Sequence, residues 1–368
     1  MKYQLTYVLL LLPCLFFGQQ QVDAVNFKTI DSLAHTYMYN GDLKLLVSQL
    51  TDGYDTDLLK ARAIFAWITH NIAYDVRVYN KNKKPRPFKC RNKADCDKER
   101  IAYLDAYIDG VLRSKKGVCQ GYAMLFKRMC DYAGLQTDII SGYTKDVPGM
   151  VGKMGVLNHA WNGIILDGKY YYLDVTWAAG SCTYKDNGKL DEFIKDFEEY
   201  YWLTPEDKFH RNHYPKDKTP YSSKNNKQQY KNVPYIISWM QPCLDVATPQ
   251  TGVIEAYVGD TLNFEIQYHC YFYPINELQV NTNRKRNPSI WKGKDNDEID
   301  EDILKKQKYI DYKKEGETYT FTYIVDDKNI RYIEVLFNHR VNALKFNIKV
   351  KGPILFFGKK IYKRHTTP

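Results

Sequence analysis

The sequence predicts an α+β domain followed by an all-β domain, and three observations carry that reading. Up to Ala133 the apolar residues recur at three-to-four spacing, the period of helices. From Thr137 the pattern changes to short runs rich in β-branched and aromatic residues, two of them flanking Asp167-Gly168, a hairpin signal. Beyond Pro249 only strand-like segments recur. Helices first and antiparallel strands afterwards are the layout of an α+β domain, and 368 residues with 44% hydrophobic content suffice for two cores.

Residues 1–18, MKYQLTYVLLLLPCLFFG, carry one lysine, an apolar stretch and then a small residue. They read as a secretory leader cut near Gly18, because the apolar stretch is too short to span a bilayer comfortably. The mature chain is therefore expected to be exported to a periplasmic, cell-surface or extracellular location, with no transmembrane segment. Cys14 raises a lipid anchor as a competing reading, against which Pro13 stands where a small residue is needed. The first domain is expected over 19–245 and the second over 246–368.

Helices are predicted over 43–50 and 56–71, the second with Leu59, Ala63, Ala66, Trp67 and His70 on one spacing. Residues 77–100 then hold ten Lys or Arg against Asp95, Asp97 and Glu99, and account for most of the +10 net charge. Such a run fits an acidic partner or, more commonly, a solvated insertion loop that Cys90 and Cys96 can pin. No regular aromatic interleaving or nucleic-acid motif accompanies it, so no nucleic-acid partner is expected. Helices follow over 101–114 and 119–133, the latter stopping at Gly134. Its stripe of Tyr122, Ala123, Phe126, Met129, Cys130 and Ala133 belongs to the core, which leaves Cys119 at the exposed N-terminal end.

Strands are predicted over 137–143, 160–166 and 169–177, and residues 216–233 read as a polar surface connection. The second domain takes strands over 252–258, 261–268, 277–282, 319–325, 330–337 and 341–350, as in a sandwich. The acidic run 295–302 lacks the spacing of a calcium loop and is read as surface.

Without Cys14 seven cysteines remain, at 90, 96, 119, 130, 182, 243 and 270. An odd number in an exported chain invites a free thiol, and Cys119 is the candidate. Zinc held by Cys90, Cys96, His210 and His213 is poorly spaced, so no metal and no cofactor are expected.

The chemistry concentrates in three places: Gly117-Val118-Cys119-Gln120-Gly121-Tyr122-Ala123, His159-Ala160-Trp161-Asn162, and Tyr172-Leu173-Asp174-Val175-Thr176-Trp177. A thiol at a helix start, a histidine and an aspartate are the ingredients of an acyl-transfer nucleophile, its base and the base's orienter. Gly117 and Gly121 lack the side chains that would keep a substrate backbone from the sulfur or the helix from the sheet. If Leu166 pairs with Lys169 across the hairpin, counting back makes His159 and Asp174 diagonal neighbours on one face, within side-chain reach. The catalytic candidates are thus Cys119, His159 and Asp174, with Gln120, Gly121 and Trp161 as candidate substrate contacts. Each residue alone has a blander reading, as an inert thiol, a surface histidine or a strand-edge cap; their joint placement favours the enzyme.

At these residues the chain resembles the transglutaminase-like superfamily of papain-like fold, in particular the branch of the kyphoscoliosis peptidase and its cytokinesis-protein relatives. The resemblance continues through residues 61–75, 201–206 and 213–215, and so spans about 43–215. It implies a papain-like core, Cys119 as nucleophile, His159 as its base and Asp174 as the residue orienting His159. The insertion with Cys90 and Cys96 departs from the pattern, and a Trp-Gln-Leu-Leu segment is not clear near Trp239. The expected activity is a cysteine peptidase or amidase rather than a cross-linking transferase, acting on a protein or peptide. Two other readings stand beside it: a non-catalytic scaffold holding a peptide in the same groove, and a second domain that docks a cell-surface, carbohydrate or protein partner.

Overall fold

The computed structural model describes residues 26–81, 90–91, 95–217, 227–292 and 298–352. The expected leader, residues 1–18, and much of the basic segment lie outside these residues. No helix among the described residues is long and apolar enough to cross a membrane.

The chain opens with α1 (Lys28–Thr36), α2 (Leu43–Thr51) and α3 (Asp57–Asn71). Asp42 caps α2 by accepting from the N–H groups of Lys44 and Leu45, and Thr56 caps α3 by accepting from Leu59. Every residue of α3 from Ala61 to Thr69 is buried, which makes it the central helix of the first core. That run includes Arg62, only 1% exposed. Its guanidinium grips Asp31 of α1 at 2.6 and 2.7 Å and Glu199 at 2.7 Å, with the Phe27 ring 4.5 Å away.

Next come β1 (Ala73–Tyr74), α4 (Val76–Asn80), α5 (Cys96–Ser114) and β2 (Lys116–Gly117), which pairs parallel with β1. Helix α5 starts five residues ahead of the expected 101, so the C-terminal part of the basic segment is helix rather than loop. Asp97 and Glu99 in its first turn suit the helix dipole, and Cys96 is joined to Cys90. Helix α6 (Cys119–Tyr132) ends as expected: Gly134 takes φ +76°, and Leu135 N–H returns to the Cys130 carbonyl at 2.9 Å.

The sheet of the first unit runs β5-β4-β3-β8, with β3 (Thr137–Thr144), β4 (Leu157–Leu166), β5 (Lys169–Leu173) and β8 (His213–Pro215), antiparallel throughout. The hairpin forms in the expected register, Leu166 opposite Lys169, with positive φ at Asp167 and Gly168. Between β5 and β8 lie α7 (Val175–Ala178), the β6 (Gly180–Tyr184) and β7 (Leu190–Lys195) hairpin, and α8 (Glu206–Phe209). The third predicted strand is corrected here: it stops at Leu173, and Asp174 turns the chain into α7 by accepting from Thr176 N–H and Trp177 N–H. Gly142 on β3 is there for space, since a Cβ would lie 2.2 Å from Trp161 and 2.3 Å from the Tyr214 carbonyl.

The remainder comprises α9 (Lys227–Asn232), β9 (Tyr235–Ile236), β10 (Leu244–Thr248), β11 (Val253–Tyr257), β12 (Thr261–Tyr268), β13 (Leu278–Thr282), β14 (Trp291–Lys292), β15 (Glu298–Ile299), α10 (Glu301–Leu304), β16 (Tyr312–Glu315), β17 (Thr318–Ile324), β18 (Tyr332–Phe337) and β19 (Val341–Lys351). One sheet runs β10-β12-β17-β16; the other runs β11-β19-β18-β13, with β9 added to β19. Alternate residues of β12 and β19 point inward, and Phe264 meets Phe346 edge to face at 5.2 Å across the sheets. The expected sandwich is present, with Cys243 and Cys270 disulfide-bonded inside its core. It begins ahead of residue 246, because β9 already pairs with β19 and Met240 and Leu244 belong to its core. The predicted surface connection is also more than surface: α9 buries Tyr230, and the buried Lys145 ammonium reaches the carbonyls of Tyr230 at 2.8 Å and Val233 at 2.7 Å.

Candidate active site

Cys119 is the first residue of α6, half-buried, on a helix start that no side chain caps. Its Sγ lies 3.8 Å from the Asn158 carbonyl, and its thiol is close enough to the His159 side chain to favour the charged ring. The two glycines that bracket it serve packing. A Cβ on Gly121 would stand 3.1 Å from Val111 of α5, and one on Gly117 would stand 3.4 Å from the same side chain. Gly121 therefore lets α6 approach α5, whereas a Cβ at Gly117 would make only ordinary contact; contrary to expectation neither would meet the sheet, on which α6 packs through other residues such as Ala123. Gly121 is buried, so its expected contact with substrate is corrected as well, while Gln120 is half-buried one residue after the sulfur.

His159 sits near the start of β4, opposite Gly142 of β3, and its Nε2 is 2.6 Å from Asp174 Oδ2. The contact expected from hairpin counting exists, yet it is made by a helix cap rather than by a strand pair. Asp174 is fully buried, and its Oδ1 accepts from Thr176 N–H at 2.8 Å and Trp177 N–H at 3.1 Å. One carboxylate oxygen is thus fixed by α7 and the other is left for histidine. Burial disfavours the imidazolium, but the Asp174 carboxylate and the Cys119 thiol outweigh it and hold His159 up at about 10. Burial likewise works against the Asp174 charge, and His159 with His213 overcomes it, holding Asp174 well below the usual carboxylate range.

The second histidine on Asp174 is the residue that sequence reasoning missed. His213 on β8 puts Nε2 3.1 Å from the same Oδ2, and burial pushes it down to about 4, so it stays neutral at pH 7. The only sequence signal was its place in the His213-Tyr214-Pro215 motif. Beneath the histidines lies Trp161, 1% exposed and 5.0 Å from the His213 ring. It cannot touch a substrate, and the expectation that it does is corrected: inward alternation on β4 makes it the floor of the site. The zinc set does not assemble, since Cys90 and Cys96 are joined to each other and His213 is turned to Asp174. The ligand atoms of His159, Asp174 and His213 lie within 4.8 Å of one another, a closeness that their hydrogen bonds already explain.

A cavity of about 490 Å³ opens beside His159. Tyr74, Tyr79, Trp177 and Phe193 wall it from the first unit, and Tyr235 and Trp239 from the segment entering the second. The sandwich therefore completes the cleft, with Trp239 at its edge. Asp146, Asp196 and Glu198 line it while no lysine or arginine among the described residues does, and burial raises both Asp146 and Glu198. Cys182 of β6 also lines the cavity, its thiol pushed up to about 11 by burial. Three described cysteines are thus free, Cys119, Cys182 and the buried Cys130, where the odd count had pointed to one.

Residues 44–175 match the family model of the transglutaminase-like superfamily. Kyphoscoliosis peptidase of Mus musculus is 32% identical over 194 residues, covering 52% of this chain and 26% of that protein. Hillarin of Drosophila melanogaster is 27% identical over 208 residues, covering 54% of this chain and 23% of its own. A solved structure described as a TGase is 16% identical over 45% of this chain and 37% of its own, with a TM-score of 0.26. The chain spans about a quarter of the length of the curated relatives it matches. The segment that carries Cys119, His159 and Asp174 is the segment that matches, a transglutaminase-like domain within the chain.

Proposed function

We propose that this chain is an exported cysteine-dependent acyl-transfer enzyme that hydrolyses peptide or amide bonds in preference to cross-linking proteins. The observation that carries the reading is the 2.6 Å contact of His159 with a carboxylate locked by α7, at a histidine whose charge the nearby Cys119 thiol also favours. Cys119 Sγ attacks the substrate carbonyl as His159 holds its proton; the C–N bond breaks and the departing amine takes that proton from His159. Water then attacks the thioester, giving its proton back to His159, and the acid leaves as the thiol is restored. Asp174 keeps the ring oriented and favours its charged form throughout.

The first 18 residues support export, and the name of the mouse relative supports hydrolysis. The scheme needs a protein or peptide substrate and no cofactor. The test is a quenched-peptide library assayed together with incorporation of a labelled primary amine, for the wild type and Cys119→Ala. Peptide release that exceeds amine incorporation and vanishes in Cys119→Ala is the expected result. Turnover that survives the substitution overturns the nucleophile. Peptide binding without turnover, at a Cys119 that resists alkylation, makes the groove a scaffold instead.

A further inference from the structure

The sandwich has a cavity of its own, about 540 Å³, walled by β13, β14, β18 and the turn from β18 into β19. That volume lies in the range of about 300–1,000 Å³ usual for small-ligand sites. Its lining is unlike the cleft beside His159: asparagine and glutamine amides, a serine, one tryptophan and two arginines, with no carboxylate. Three of the lining side chains keep a buried polar atom without a partner, namely Gln279 Oε1, Trp291 Nε1 and His339 Nδ1. Gln279 is 1% exposed and His339 has a side chain 8% exposed, so these atoms are shielded from bulk water. Buried polar atoms without partners are uncommon, and three around one cavity mark a surface built to meet hydrogen-bonding groups. Arg286 is paired with Glu334 at 3.2 Å. Arg340 stacks over the Trp291 ring at 4.9 Å and meets no carboxylate among the described residues.

We propose that this cavity binds an acidic sugar, a pyranose carrying a carboxylate, such as a hexuronic residue of a glycan. The carboxylate faces Arg340, which meets no other carboxylate among the described residues. The hydroxyls, each both donor and acceptor, satisfy Gln279 Oε1, which needs a donor, and Trp291 Nε1, which needs an acceptor. Inorganic phosphate at pH 7 supplies only about one or two O–H donors on a single small group and a neutral sugar supplies no charge for Arg340, so each meets only part of the lining.

Calorimetry on the full chain tests this with digalacturonic acid, lactose, inorganic phosphate and a short Asp/Glu peptide as probes. Digalacturonic acid is expected to bind with a Kd below about 1 mM and lactose at least about tenfold more weakly. Arg340→Gln is expected to weaken the uronate at least about tenfold, the usual loss for a charged hydrogen bond. Trp291→Phe gives a second, smaller loss. Arg340 is exposed, so its substitution leaves the fold intact, which an unchanged midpoint of urea unfolding verifies. Phosphate or the acidic peptide binding as tightly as the uronate overturns the proposal. So does uronate affinity unmoved by Arg340→Gln, or no uronate binding at about 10 mM.

Discussion

Two charge networks are buried in the first unit, and they differ in one respect. Around Arg62 the guanidinium donors are taken up by Asp31 and Glu199, and aromatic rings close the sides. Around Asp174 the carboxylate is equally committed, to two N–H groups and two histidines, but one of those histidines, His159, also neighbours the Cys119 thiol and lines a cavity. The Arg62 network is closed and can only hold α1, α3 and the Glu199 turn together. The Asp174 network is open at one end, and a proton can leave it. Burial and pairing alone therefore do not mark a reactive site; an unfinished coordination does.

The largest effect that tests this contrast is on turnover. Asp174→Asn should lower kcat/KM about 10³-fold or more while the chain stays folded, because the amide can neither stabilise the imidazolium nor hold the same tautomer. A loss under tenfold would place Asp174 with the structural residues. The companion substitution, Arg62→Leu, should do the reverse. Removing one partner of a buried pair strands the other, here at a cost of about 3 kcal/mol, toward the low end because Glu199 is half-exposed. Urea titration reads that loss, and Cys119 alkylation in the folded protein should not change. Alkylation that falls with stability would mean that the two networks are coupled.

The pH profile sharpens the comparison. In the proposed scheme His159 must carry a proton to release the amine, and Asp174 with Cys119 favours that proton up to about pH 10. The alkaline limb of kcat/KM for the wild type is therefore expected near 10. In Asp174→Asn the largest raising charge is gone and burial acts in the opposite direction, so the limb should fall well below 10, toward the ordinary histidine range, with Cys119 alone still raising it. Residual activity should then be relatively higher at pH 6 than at pH 8. A limb that stays in place would show that another group sets it.

Much of the open network was legible in the sequence, and what was not has physical causes. Cys119 at a helix start and Gly134 at its end follow from local rules that tertiary packing did not disturb. The hairpin turn fixed the register from Leu166 to Asn162. The count failed at Asp174 because Val175-Thr176-Trp177 has the composition of a strand, whereas a buried aspartate accepting two N–H groups starts a helix. Trp161 was misread because composition does not tell a ring beside a substrate from a ring beneath the catalytic residues. Nothing local announces that Gly142 leaves the space it fills. His213 was invisible as a partner because β8 reaches Asp174 only through pairing with β3, a contact between distant parts of the chain. The early start of the sandwich was missed for the same reason, since β9 is two residues long and is defined by its partner β19.

The smallest predicted effect lies at that missed histidine. A neutral His213 donates to Asp174 Oδ2 and shares it with His159, so it positions the carboxylate without touching the thiol. His213→Gln keeps a donor of similar reach and should cost only a few-fold in kcat. His213→Phe leaves Oδ2 with one donor fewer and should cost about tenfold, the size of one hydrogen bond to a charged group. Both variants should leave KM unchanged, and the alkaline limb should rise slightly, because a carboxylate with fewer donors interacts more strongly with the imidazolium. A merely structural histidine would move stability and leave the limb where it was. Loss of the limb's upward shift in His213→Phe, with normal kcat, would assign His213 to the closed kind of network that Arg62 represents.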